Sequence, residues 1–97
     1  MIDIGFDVIG DLHLKPEDSF NWENKATSLY CIVSGNISSD VRTIQQTLTH
    51  LARYYQGVFY CPGSAEYDGV ENTNERTGLI VNLSKKVPNL VILHHNI

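Results

Sequence analysis

Asp11 and His13 stand two residues apart, and together they offer a carboxylate oxygen and an imidazole nitrogen to one metal ion. They follow Gly10 at the end of a short apolar run, Phe6-Asp7-Val8-Ile9. Asp-x-His also arises by chance, and its ordinary reading is a capping Asp beside a surface His. Two further clusters end apolar runs in the same way. Ser34-Gly35-Asn36 follows Leu29-Tyr30-Cys31-Ile32-Val33, and Pro62-Gly63-Ser64-Ala65-Glu66 follows Val58-Phe59-Tyr60-Cys61. In open α/β sheets, ligands bind just beyond the carboxyl ends of the strands.

The elements that must position these clusters are legible as runs. Phe6–Ile9, Leu29–Val33, Val58–Cys61 and Leu90–Leu93 have strand length, and the continuous apolarity of Leu29–Val33 predicts a strand covered on both faces, as in a parallel sheet. Ser38-Ser39-Asp40 supplies N-cap candidates for a helix on which Val41, Ile44, Leu48, Leu51, Ala52 and Tyr55 recur at helical spacing, with Gly57 as its stop. A weaker helical pattern carries Leu79, Ile80, Leu83 and Val87 on one side and stops at Pro88. Residues from Leu12 to Lys25 are polar and read as a loop, pinned to the body by Phe20 and Trp22. Alternating strands and helices predict an α/β fold with a mostly parallel sheet and flanking helices.

Taken together, the three strand ends resemble the calcineurin-like metallophosphoesterase family. That family carries Asp-x-His after strand one, Gly-Asp after strand two and Gly-Asn-His-Glu after strand three. Here Asp11-Leu12-His13, Gly35-Asn36 and Gly63-Ser64-Ala65-Glu66 occupy those places, with Ile37-Ser38-Ser39-Asp40 and Tyr67-Asp68-Gly69 as similar neighbourhoods. The resemblance spans nearly the whole chain. It implies that residues 1–97 are one domain, the N-terminal half of a metallophosphoesterase-like sandwich and therefore incomplete.

The resemblance also defines what is altered. Family chemistry is two-metal hydrolysis, with a shared carboxylate offsetting the repulsion between the ions. The position of that carboxylate is held by Asn36, which is neutral. Ser64 stands where the family has an Asn ligand of the second metal, and Ala65 stands where it has a His that assists the leaving group. Asp11, His13 and Glu66 remain, with Glu66 read as a loop carboxylate and no residue assigned a catalytic role. At most, Asp11 and His13 are expected to bind one divalent ion weakly. His50 is expected to face solvent, and His94 and His95 to be exposed strand-end residues.

Composition narrows the remaining classes. A net charge of -4, with Lys85-Lys86 as the longest basic run, argues against a nucleic-acid partner. No apolar stretch suits a membrane span, and the acidic opening Met1-Ile2-Asp3 is unlike a signal peptide, so the expected setting is the cytoplasm or a virus particle. Cys31 and Cys61 read as buried free thiols, because their spacing suits neither a disulfide nor a metal pair. Asn36-Ile37-Ser38 and Asn82-Leu83-Ser84 read as chance glycosylation sequons. Two functions follow. The first is a degenerate domain with a binding or structural role in a larger assembly, its apolar sheet covered by other subunits or a C-terminal continuation. The second is an active metal-dependent phosphoesterase completed by a C-terminal half or a partner chain. A nucleotide-binding module is a weaker third, since no Gly-rich phosphate loop is present.

Overall fold

The computed structural model describes residues 5–93. The expectations for Met1-Ile2-Asp3 and for His94 and His95 lie outside the described residues. Four parallel strands, β1 (Phe6–Ile9), β2 (Tyr30–Val33), β3 (Gly57–Tyr60) and β4 (Leu90–Ile92), form one sheet in chain order. Helix α1 (Val41–Ala52) joins β2 to β3, and α2 (Thr73–Lys86) joins β3 to β4. A short 3-10 helix, Ser64–Tyr67, follows β3.

Each helix starts where a side chain can satisfy its free N–H groups. Asp40 Oδ2 accepts from Thr43 N at 3.0 Å and from Thr43 Oγ1 at 2.7 Å. Asn72 Oδ1 accepts from Glu75 N at 3.0 Å and caps α2. The first helix is shorter than its periodicity predicts. It ends at Ala52, and Tyr55 and Gly57 belong to the turn into β3 and to β3 itself. Ile44, Leu48 and Leu51 are fully buried and pack with Cys31, Val33, Val58 and Tyr60 in the core.

Among the described residues the helices cover one face of the sheet, so the second cover that the apolar run Leu29–Val33 predicts is not supplied by them. Strands added always to the same edge, with right-handed crossovers, place every connecting helix on one side. Register puts Ile9, Val33 and Tyr60 in one row, and all three are buried. The neighbouring row, Val8, Ile32, Phe59 and Val91, points to the opposite face. There Val8 is 68% exposed, Phe6 45% and Val91 44%. Phe6, Tyr30 and Phe59 cluster on this side, with ring centroids 5.8–6.3 Å apart.

At the opposite end of the sheet from the three clusters, Asp7 ties the long β1–β2 loop down. Its carboxylate accepts from Thr27 N and Tyr55 Oη, both at 2.7 Å, and from Thr27 Oγ1. Tyr55 Oη in turn accepts from Trp22 Nε1 at 2.7 Å, and Trp22 stacks on Phe20, so the two aromatic rings do pin the loop. His50 corrects the sequence reading. It accepts from Trp22 N at 2.8 Å and packs edge-on against Phe20 and Tyr54, so that it is half-buried. The loop descends onto α1 at that point, a contact that helical periodicity alone does not encode.

Hydrogen bonds from Thr27, then Tyr55, hold the Asp7 carboxyl well below its ordinary 3.8, and those from Thr43 lower Asp40. A depressed pKa in the folded state gives stability that is complete above the unfolded value and is lost as pH falls toward the folded one. The domain is therefore expected to melt at progressively lower temperature as pH drops below about 4. Thermal melts at stepped pH check this, and Asp7→Asn should flatten the dependence. A melting temperature unchanged down to about pH 2 would contradict the role given to Asp7.

Candidate functional site

The three clusters converge at the carboxyl ends of β1, β2 and β3, the end where α/β sheets hold ligands. The β1 exit runs alongside the β2 exit. Asp11 N donates to Gly35 O at 3.3 Å, His13 N to Asn36 O at 2.9 Å, and Leu14 N to Ile37 O at 2.6 Å. The exits bend sharply. Asp11, His13 and Asn36 all adopt left-handed backbone, with φ of 55°, 47° and 57°, and Gly35 has φ of 96°. Outside glycine, such conformations are uncommon and cost about 1–2 kcal/mol each, less for Asn and Asp. Strain gathered at one end of a sheet is a mark of a functional site.

Asn36 is the centre of the cluster. Its Nδ2 donates to Asp11 Oδ1 at 2.8 Å. Its Oδ1 accepts from Ala65 N at 3.0 Å and, more weakly, from Ser64 Oγ at 3.5 Å. A carboxylate can only accept and a backbone N–H can only donate, so these neighbours fix the orientation of the amide. One short side chain thus joins the ends of three strands.

Glu66 lies behind Asn36 with no exposed surface. One carboxylate oxygen accepts from Asn36 N at 3.0 Å. The other accepts from Ile37 N at 3.1 Å and Tyr60 Oη at 2.6 Å. Burial, then the bond to Glu66, drives the Tyr60 hydroxyl far above its usual value. The loop carboxylate of the sequence reading is therefore a buried clamp. Arg76 of α2 braces the same loops through Nη1, which donates to Ser39 O at 2.7 Å and Glu66 O at 3.1 Å. Sequence reasoning missed Tyr60 and Arg76. Tyr60 is hidden in an apolar strand, and Arg76 carries no signal apart from its charge.

Asp11 and His13 are the outward members, with side chains 77% and 63% exposed and His13 Nε2 3.9 Å from Asp11 Oδ1. Among the described residues, no three His, Cys, Asp or Glu side chains lie close enough together to hold an ion. The donor chemistry does not fit a two-metal centre either. Asn36 directs an N–H at the one exposed carboxylate, and Glu66 is engaged on its buried side. The cysteines stand apart from this. Cys31 is buried in the core, where desolvation pushes its thiol up to about 11, while Cys61 is only half-buried.

These elements define an α/β domain with a parallel sheet and helices on one face. The fold is similar to that of a solved structure, phosphopantetheinyl hydrolase (PptH) from Mycobacterium tuberculosis, with a TM-score of 0.68 and 22% identity, over 94% of this chain and 36% of that one. This chain spans about a third of that protein's length, and at such identity the likeness is one of fold. No protein-family model and no curated protein matches the chain. Among the described residues, no helix is long and apolar enough to cross a membrane.

Proposed function

We propose that this chain is a metallophosphoesterase-type domain whose catalytic centre has lost its chemistry and which serves a binding or structural role in a larger assembly. The observation that carries the reading is Asn36, an amide bonded to Asp11 where two-metal chemistry needs a shared carboxylate. Ala65 offers no proton to a leaving group, and Ser64 is only a weak oxygen donor. The strained strand exits, kept without the groups they would serve, fit a scaffold retained after its reaction was lost. The fold shared with a hydrolase supports the ancestry.

The helix-free sheet face supplies the binding role. Phe6, Val8 and Val91 are well exposed there beside half-buried Tyr30, Ile32 and Phe59. Contiguous apolar surface of this kind marks an interaction site. Its occupant is another protein layer, from a continuation of the chain or from neighbouring subunits, as in a virus particle. A second reading has one observation in its favour: this chain matches only 36% of the hydrolase it resembles. On that reading Asp11 and His13 belong to a phosphoesterase completed by further chain or a partner, working through an altered or single-ion site.

The experiment is phosphodiesterase turnover with added Mn²⁺, run beside sedimentation at high concentration. No turnover and self-association or aggregation are expected. Robust turnover would favour the second reading, and a well-folded monomer with no turnover would remove the assembly role.

A further inference from the structure

We infer that Asn36 stands where an ion would otherwise be needed, cross-linking the three strand ends by hydrogen bonds so that the cluster is closed and stable without a cation. This inference rests on the phosphoesterase-type reading of the chain. Asp11 brings an acceptor-only group to the junction, and Ala65 brings a backbone donor. The Asn36 amide satisfies both at once, donating at 2.8 Å and accepting at 3.0 Å. The strut is preset by its backbone. Asn tolerates the left-handed conformation at φ 57° better than most residues, and Glu66 holds its N–H from behind.

The role of the amide becomes clear from its acidic counterpart. An Asp in this place would keep the bond from Ala65 N, yet its second oxygen would face Asp11 Oδ1 at contact distance, as the Nδ2 does now. Two carboxylates so close repel unless a cation or a proton lies between them. One change from amide to acid should therefore turn a cation-independent junction into a cation-dependent one. The ion that would serve is a divalent cation bound by oxygens.

The test compares thermal melts of the wild-type protein, Asn36→Asp and Asn36→Gly at neutral pH, each in chelator and in millimolar Mn²⁺. The Gly variant keeps access to the left-handed backbone and removes the side chain with its amide, at a cost in chain entropy that does not depend on metal. The wild-type melting temperature is expected to agree in the two buffers to within about 1 °C. Asn36→Asp should melt at least about 5 °C lower in chelator and regain most of the loss in Mn²⁺. Asn36→Gly should melt about 5 °C lower in both buffers. If Asn36→Asp does not fold, the other two proteins decide. A saturable rise of several degrees for the wild type in Mn²⁺ would overturn the inference. So would an Asn36→Asp or Asn36→Gly variant as stable as wild type in chelator. Turnover measured alongside separates the two proposals. Turnover with an unmoved wild-type melt ends the degenerate reading and leaves the strut, whereas a metal-raised melt without turnover does the reverse.

Discussion

Glu66→Ala is expected to destabilise the domain by about 4 kcal/mol or more, a large part of the 5–15 kcal/mol that holds a typical domain folded. The reason lies in what the carboxylate satisfies. It accepts from Asn36 N, Ile37 N and Tyr60 Oη, and it has no exposed surface of its own. Ala removes all three acceptor contacts and leaves the donors without partners in a place water reaches poorly. Each buried group stranded in this way costs about 1–3 kcal/mol, and the vacated volume adds to the loss. Glu66→Gln should cost less, about 1–3 kcal/mol, because its amide can still present one oxygen to Ile37 and Tyr60 but sets an N–H against the N–H of Asn36. Tyr60→Phe removes a single bond and should cost about 1 kcal/mol. Urea unfolding of the three variants measures the order Ala, then Gln, then Phe. A Glu66→Ala loss below about 1 kcal/mol would mean that the clamp is not what holds the β2 exit.

That clamp also marks how far the sequence can be read. The strands are legible because their residues are mostly apolar and the first three runs end in residues that turn the chain: Gly10, Ser34-Gly35 and Pro62-Gly63. The convergence of Asp11, Asn36 and Ser64 follows, since parallel strands share a carboxyl end. The burial of Glu66 is not legible, because it depends on N–H groups 29 and 30 residues earlier in the chain. His50 escapes for the same reason: its partner is the main chain of a loop 28 residues away. Which face of the sheet the helices cover is not legible from polarity alone, because polarity records what a face prefers, not what reaches it. Val8, Ile32, Phe59 and Val91 are as apolar as the buried row beside them, yet both helices fall on the other side. Gly57 reads as a helix stop in the sequence. It lies beyond the helix and opens β3, with Tyr30 packed where a side chain would begin.

Gly35→Ala is expected to cost about 2–5 kcal/mol, and the surrounding backbone gives the reason. A Cβ at residue 35 would lie 2.7 Å from Gly63 N, 2.8 Å from Cys61 O and 2.9 Å from Gly63 Cα. All three are main-chain atoms of the β3 exit, so no flexible side chain can move aside to relieve the contact. The β2 and β3 exits would have to separate. That movement would also pull Asn36 Oδ1 from Ala65 N and loosen the hold of Glu66 on the same loop. Left-handed backbone at φ 96° adds about 1–2 kcal/mol for any residue with a Cβ. Two other glycines separate these terms. Gly69 has φ 73° but nothing within 4 Å of where a Cβ would stand, so Gly69→Ala should show the conformational cost alone, about 1–2 kcal/mol. Gly78 lies inside α2, also with nothing within 4 Å, and Gly78→Ala should stabilise by about 0.5–1 kcal/mol through helix propensity. Denaturant unfolding of the three variants gives the comparison. If Gly35→Ala lost no more than Gly69→Ala, the close approach of the two strand exits would not be a determinant of this fold.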